Sequence, residues 1–300
     1  MRTEKIYQVL KDLKDVVSII VDYDHYVLKG KTEILLDSKF WRVDCMINYK
    51  ENQVIVSCYD IGLKIFDLTT NKIVAEIKLR DTIIHLDNLP NNFFVGGSLN
   101  GNIILWNDRF QEVFNAKLYD NPITFLNVIY TNKILIGSYK TINMLNSTGP
   151  CEKTFTRKPL QCNAILRTKD GDKAVTGYTN SQIEIWNPRT GITEVALIGH
   201  KRSVMSICIL YEYRNNKIVS GSLDNTIRVW NIDGVCEKIY NFDYQIRTVG
   251  ILQSYQIINC GVKNITVDNI KINDKIRSML VLTSGKVLFW TDNGILKLIK

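Results

Sequence analysis

The stretch that decides the fold reads Gly199-His200 and, twenty residues later, Ser220-Gly221-Ser222-Leu223-Asp224-Asn225-Thr226-Ile227-Arg228-Val229-Trp230-Asn231. Residues 220–231 begin with a short β-rich run, continue through a small polar turn, and end with a second β-rich run that closes on Trp-Asn. Two β-rich runs around a short turn containing Asp and Asn predict a β-hairpin. The stretch therefore predicts antiparallel sheet.

The same pattern recurs at 56–67, 96–107, 136–146 and 176–187, and a last hairpin ends near residue 290. The residues that close the repeats are Phe66, Trp106, Leu145, Trp186 and Trp230, at spacings of 40, 39, 41 and 44 residues. A period of about 40–45 residues is typical of a four-stranded propeller blade. One such sheet cannot bury both faces alone, whereas stacking blades around an axis buries them between neighbours.

We predict an all-β propeller of seven blades, each with four antiparallel strands, and six or eight blades remain alternatives. Residues 1–300 are expected to form one domain. Val16–Val21, Tyr26–Leu28 and Thr32–Leu36 are interpreted as three strands of a first blade. Residues 240–300 are expected to form one or more degenerate last blades that close with the N-terminus. Residues 1–15 are read as an N-terminal helix or a closing strand.

Residues 199–231 resemble a WD repeat of the kind found in G-protein β subunits and F-box substrate receptors. The Gly-His opening, the Ser-Gly-Ser run, the Asp in the turn and the final Trp occur together at the family's spacing. The resemblance covers about Trp41 to Asn231 well and the two ends poorly. It implies a structural tetrad of hydrogen-bonded side chains. These would be His200, Ser220, Asp224 and Trp230.

The other repeats depart from this pattern. Val56 and Phe66 replace the Ser and the Trp in one repeat, and Asn100 and Asn180 stand at the Asp position in two others. The tetrad is therefore expected intact only once, and the other blades are expected to rely on apolar packing. An Asp-His-Ser set also resembles a hydrolase triad, but no nucleophile elbow or oxyanion loop accompanies it.

The turn between the second and third strand of each blade, and the loop entering the first strand, are expected at one end of the ring. The resemblance makes this end the usual site for partners, because loops on a rigid frame commonly bind. The partner-face candidates are Tyr59, Ile61, Leu99, Tyr139, Lys140, Thr179, Lys201, Arg202, Leu223, Asn225 and Lys263.

Composition and charge limit the type of partner, the cellular compartment and the cofactors that we expect. The formal net charge of +8 favours an acidic partner such as RNA, an anionic surface or an acidic protein. No apolar run is long enough to span a membrane, and no signal peptide is expected, so we predict an intracellular chain, in the cytoplasm in preference to the nucleus. Seven unclustered cysteines and three histidines predict reduced thiols and neither a metal nor a cofactor.

We expect a non-catalytic scaffold or adaptor that binds other proteins within a larger complex. One alternative is an RNA- or ribosome-associated propeller, which the basic charge suggests. A second alternative is a ubiquitin-ligase substrate receptor, weakened because few residues precede the first blade. Small-molecule substrates and enzymatic activity are not expected, since no acid–base constellation recurs along the repeats.

Overall fold

The structure is a computed structural model of the chain. It describes residues 20–22, 27–29, 33–37, 43–59, 61–70, 72–129, 133–211, 216–251, 257–261, 265–267, 270–272, 276–281, 287–291 and 295–299. Nearly all of these residues lie in β-strands or in the turns that join them. The one helical element among them is a single 3-10 turn, Pro90–Asn92.

Three short strands come first, β1 (Ile20–Asp22), β2 (Val27–Lys29) and β3 (Glu33–Asp37). Five antiparallel four-stranded sheets follow, and we number them blades 1 to 5. Blade 1 holds β4 (Val43–Asn48), β5 (Gln53–Cys58), β6 (Gly62–Asp67) and β7 (Lys72–Ile77). Blade 2 holds β8 (Ile83–Asn88), β9 (Phe94–Ser98), β10 (Asn102–Trp106) and β11 (Glu112–Lys117).

Blade 3 holds β12 (Phe125–Ile129), β13 (Lys133–Ser138), β14 (Thr141–Leu145) and β15 (Cys151–Thr156). Blade 4 holds β16 (Leu160–Leu166), β17 (Lys173–Tyr178), β18 (Ile183–Trp186) and β19 (Thr193–Leu197). Blade 5 holds β20 (Val204–Leu210), β21 (Lys217–Ser222), β22 (Thr226–Asn231) and β23 (Cys236–Asn241).

Two further sheets combine both ends of the chain. The sixth holds β24 (Ile246–Ile251), β25 (Ile257–Gly261), β26 (Ile265–Val267) and β27 (Ile270–Ile272), and β2 and β1 extend it through a parallel pairing of β2 with β27. The seventh holds β28 (Ile276–Val281), β29 (Val287–Thr291) and β30 (Ile295–Ile299), with β3 paired to β30.

The first strands of the seven sheets follow one another around a closed ring. Strand β4 contacts β8, and the contacts continue through β12, β16, β20, β24 and β28 before returning to β4. This arrangement confirms the prediction of an all-β propeller built from antiparallel four-stranded blades. The seven sheets are those of the described residues, and the number of blades in the whole chain stays a prediction.

The core lies between neighbouring blades. The second strands are almost wholly buried, as in β13, β17 and β21, because each lies between two packed faces. The outer strands alternate between exposed and half-buried residues, as in β7. Gly221 shows how close the packing is: a Cβ atom there would lie 2.5 Å from Ile246 of the next sheet. Trp106, Trp186 and Trp230 are fully buried.

One prediction about the N-terminal strands is wrong. They do not form three strands of one blade, because β1 and β2 extend the sixth sheet and β3 completes the seventh. Residues 1–15 lie outside the described residues. Among the residues that the structure describes, no helix is long and apolar enough to cross a membrane.

Candidate functional site

Four side chains of blade 5 and its entering loop form one hydrogen-bonded chain. The indole Nε1 of Trp230 donates to Ser220 Oγ at 2.8 Å. His200 Nε2 lies 2.8 Å from the same Ser220 oxygen, and His200 Nδ1 lies 2.9 Å from Asp224 Oδ2. If Ser220 donates to Nε2, His200 carries its proton on Nδ1 and donates it to Asp224. The structure thus brings together all four residues of the predicted tetrad.

The electrostatics of the tetrad keep a carboxylate beside a neutral imidazole. Burial alone would raise the pKa of Asp224, but hydrogen bonds from the Thr226 hydroxyl, the Lys201 backbone and His200 outweigh it and lower that pKa to about 2. Burial lowers the pKa of His200 from its ordinary value, although Asp224 opposes the shift. These directions fit a structural link in which Asp224 stays ionised and accepts hydrogen bonds.

Asp224 also fastens the entering loop to the hairpin turn. Its Oδ1 accepts hydrogen bonds from the backbone N–H of Thr226 at 3.0 Å and from the Thr226 hydroxyl at 2.7 Å. Its Oδ2 accepts the backbone N–H of Lys201 at 2.9 Å. Ser222 Oγ donates to the carbonyl of Arg202 at 3.0 Å. The tetrad therefore holds the loop that carries Lys201 and Arg202 against the turn that carries Leu223.

Blade 4 has a polar network that sequence reasoning missed. Trp186 Nε1 donates to Thr176 Oγ1 at 2.8 Å, and Thr176 donates to Asn163 Oδ1 at 2.7 Å. Asn163 Nδ2 then donates to Asn127 Oδ1 of blade 3 at 2.9 Å. The expectation that blades other than blade 5 rely on apolar packing is wrong here. The signal was available in Thr176, which occupies the position of Ser220 in its repeat.

A second group in blade 4 takes the place of the missing His-Asp pair. The Arg157 guanidinium lies 4.3 Å from the centre of the Trp186 ring. Glu184 pairs with Lys158 at 2.6 Å and accepts the Tyr178 hydroxyl at 2.8 Å, and Arg157 lies 3.7 Å away. Arg157 also donates to the carbonyl of Gly191 at 2.7 Å. The loop that enters blade 4 is therefore held by charged side chains.

The predicted partner-face candidates that the structure describes lie at one end of the blades. In three blades, the turn between the second and third strands donates a backbone hydrogen bond to the entering loop. The bonds run from Leu99 to Thr82 (2.8 Å), from Thr179 to Pro159 (3.1 Å) and from Leu223 to Ser203 (3.0 Å). We call the surface formed by the turns between second and third strands and by the entering loops of blades 1 to 5 the turn face. In these three blades, backbone hydrogen bonds join the turn to the entering loop.

The turn face exposes apolar side chains in three consecutive blades. Tyr59, Leu99 and Tyr139 are 36%, 40% and 55% exposed. Lys140, Thr179, Lys201 and Arg202 are exposed, and Leu223 and Asn225 are half-buried. Ile61 is half-buried and packs against the apolar cluster of blade 1, so it offers less surface than predicted. Lys263 lies outside the described residues.

The described residues include no group of three or more His, Cys, Asp or Glu side chains that could hold a metal ion. Six cysteines are described as free thiols, of which Cys58 and Cys162 are buried and Cys151 is exposed. Burial raises the pKa of the Cys58 thiol to about 12, which keeps it protonated. Buried thiols of this kind pack as small apolar side chains.

Comparison with known proteins adds a family match. The family model described as "WD domain, G-beta repeat" matches residues 192–231. The chain is 36% identical over 99 residues to the WD repeat-containing protein pop2 of Schizosaccharomyces pombe, covering 32% of this chain and 14% of that protein. It is 23% identical over 160 residues to the U3 snoRNP-associated protein-like EMB2271 of Arabidopsis thaliana, covering 49% and 33%.

A third relative is the putative E3 ubiquitin-protein ligase LIN of Medicago truncatula, 32% identical over 99 residues, which cover 30% of this chain and 6% of that protein. The chain therefore spans a third or less of the length of each of these relatives.

Proposed function

Because the chain belongs to the WD-repeat family, we propose that it is a non-catalytic scaffold that binds partner proteins through the turn face. It would act within a larger intracellular complex, in the cytoplasm in preference to the nucleus. Loops that are positioned by a regular scaffold commonly carry binding residues, which supports a scaffold function in general terms. The identity of the partners is part of the proposal.

The observation that carries the proposal is the repeated exposure of large apolar side chains at one position of the blade. Tyr59, Leu99 and Tyr139 all stand in the turn between the second and third strands, in three neighbouring blades. Aromatic and aliphatic side chains presented on a rigid frame are the usual anchors of protein interfaces. Tyr139 also adopts a left-handed backbone, with φ of 49°, which a bulky residue rarely does without a compensating constraint.

The chemistry of blade 5 supports a non-catalytic role. Ser220 has no exposed surface, and its hydroxyl is already shared between Trp230 and His200. A nucleophile must reach its substrate, so this Asp-His-Ser set is suited to holding the blade together and not to hydrolysis.

The test is affinity purification of the tagged full chain at its natural level, with and without nuclease, followed by quantitative mass spectrometry. We expect protein partners that resist nuclease and that are lost in the Tyr139→Asp variant. Asp tolerates the left-handed backbone at this position, so the variant should fold.

The matched control is Ile192→Asp. Ile192 is 64% exposed and lies in the turn between the third and fourth strands, at the opposite end of the blade from the turn face. This variant should keep every partner. Recovery of the wild-type chain alone, or equal recovery of partners by Tyr139→Asp, would overturn the proposal.

An RNA-associated role is the second candidate, because the net charge is +8 and one relative is named as U3 snoRNP-associated. It predicts partners that disappear on nuclease treatment and binding that weakens steeply with salt. A role as a ubiquitin-ligase substrate receptor has weaker support, since only 6% of the relative named as a ligase is aligned.

A further inference from the structure

Charge is distributed unevenly over the turn face. From the turn at 139–140 to the turn at 223–225, across blades 3 to 5, its turns and loops carry exposed cations at Lys140, Lys158, Lys201 and Arg202. We call these four residues the basic sector. The Lys140 ammonium lies 5.2 Å from the centre of the exposed Tyr139 ring, so charge and apolar surface adjoin each other.

Two carboxylates beside this sector, Glu184 and Asp224, are largely buried and engaged inside the fold, whereas Asp243, in the loop that enters the sixth sheet, is exposed. The side chains of Glu184 and Asp224 are 12% and 5% exposed. Glu184 binds Lys158 and lies close to Arg157, which leaves about one positive charge in that group. Asp224 is held by Lys201's backbone, Thr226 and His200. Neither carboxylate faces Lys140, Arg202 or the side chain of Lys201 in any described ion pair.

The neighbouring part of the same face differs. Asp81 and Asp120 lie in the loops that enter blades 2 and 3, and the Asp120 side chain is 96% exposed. Asp81 accepts hydrogen bonds from Asn100 and Asn102. The loop that enters blade 2 also carries the exposed cations Lys78 and Arg80, so charges of both signs lie there, whereas exposed cations predominate on blades 3 to 5 and attract an anionic ligand.

We propose that the turn face over blades 3 to 5 binds an acidic segment of a partner protein. Its Asp or Glu carboxylates pair with Lys140, Lys201 and Arg202, and an adjacent apolar side chain packs on Tyr139. This inference rests on the proposed scaffold function and names the chemistry of the partner.

Two observations favour a protein segment over RNA. RNA that binds without sequence preference relies on many phosphate contacts and on several aromatic stacking platforms. The basic sector offers four exposed cations, of which Lys158 is already paired with Glu184, and among the described residues one exposed aromatic ring, Tyr139, adjoins it. A segment with a few carboxylates and an apolar anchor matches this composition better than a continuous chain of phosphates.

The test measures binding by fluorescence anisotropy with the full chain. The probes are a labelled peptide of repeated Glu-Glu-Leu, its Gln-Gln-Leu counterpart, and an oligouridylate RNA of similar length. We expect the wild-type chain to prefer the Glu peptide. The Lys201→Glu/Arg202→Glu variant should bind it at least about tenfold more weakly, because reversal adds repulsion to the lost attraction. The difference should shrink as salt screens these exposed charges.

The matched control is Lys50→Glu/Lys169→Glu, which makes the same change in net charge in turns between first and second strands, at the opposite end of the blades. It should bind the Glu peptide like wild type. If the sector variant is unstable, Lys201→Gln/Arg202→Gln replaces it, with a smaller expected loss in the same direction.

Equal weakening by both double variants, or by neither, would overturn the acidic site, and so would a preference for the RNA that depends on the sector. Such an outcome leaves the Tyr139-dependent recovery of partners untouched. The acidic site and the scaffold function can therefore fail separately.

Discussion

Blades 4 and 5 each bury a tryptophan at the same position of the repeat, but different side chains continue the hydrogen-bonded chain that begins at its indole. In blade 5, Trp230 connects through Ser220 and His200 to Asp224, so the polar chain runs outward to the loop and turn at the turn face. In blade 4, Trp186 connects through Thr176 to Asn163 on the innermost strand, and from there to blade 3. One route ties a blade to its own loop, and the other ties two blades together.

The difference shows that a buried indole needs an acceptor but does not dictate which one. Ser220 and Thr176 supply the hydroxyl in the two blades, and the next partner is a loop histidine in one and a strand asparagine in the other. Buried polar groups are stable only when their hydrogen bonds are satisfied, and several side-chain sets satisfy this one. In blade 4, the loop that carries Arg157 is held through Glu184 and the Gly191 carbonyl instead of through an aspartate in the hairpin turn.

The largest expected effect is the loss of stability when the buried tryptophan that the two blades share is removed, whichever route holds it. Trp230→Ala and Trp186→Ala should each lower the free energy of unfolding by about 3–5 kcal/mol, because both indoles are fully buried. Urea denaturation of the two variants beside the wild type measures this. Trp→Phe at the same positions keeps most of the apolar contact and should cost less. A negligible loss in either alanine variant would mean that its indole is not packed as described.

The sequence predicts well the buried tryptophans that the two blades share, but it predicts poorly the hydrogen-bonded routes by which the blades differ. The period and the closing residues Phe66, Trp106, Trp186 and Trp230 predict blades whose markers are all buried in the structure. His200 and Asp224 are found because both stand in the pattern of one repeat. Asn163 is not found, because it lies thirteen residues before Thr176 and its role depends on how β16 pairs with β17.

The prediction that the N-terminal strands form one blade is wrong for another reason. Strands β1, β2 and β3 are short, and the strands that join β2 and β3 to their sheets lie at the other end of the sequence, while β1 pairs with β2. Local pattern indicates that such runs are strands, but it does not say which distant strand they pair with, since pairing is decided by packing over the whole ring. The sequence therefore predicts strands at these positions but not the sheets to which they belong.

An intermediate effect tests the two polar routes directly. His200→Ala removes one hydrogen-bond partner from Ser220 and one from Asp224, and Asn163→Ala removes one from Thr176 and one from Asn127. Each variant should lose about 1–3 kcal/mol of stability, the usual cost of unsatisfied buried groups.

Amide hydrogen exchange should distinguish the two variants. His200→Ala should speed exchange in 199–203 and 223–226, where Asp224 holds the loop, and leave β12 protected. Asn163→Ala should speed exchange in β12 and β16 and leave that loop protected. Identical exchange patterns would contradict the assignment of one route to the turn face and the other to the boundary between blades 3 and 4.

The smallest effect comes from pH, because only the route in blade 5 contains a charge. The pKa of Asp224 lies at about 2 in the folded chain against an ordinary value of 3.8, so its stabilising contribution is fully present above 3.8 and is lost as pH falls toward 2. Asp224→Asn removes that contribution. Its stability loss relative to wild type should therefore be greatest above pH 3.8 and should shrink across this interval. Asn163→Ala provides the control, because the Trp186–Thr176–Asn163 chain is neutral and its loss should not change over the same interval. Urea denaturation of the three proteins at both ends of the interval makes the measurement. If the Asn163→Ala penalty changed with pH as much as the Asp224→Asn penalty, the contrast between a charged and a neutral route would be wrong, and the two blades would differ only in geometry.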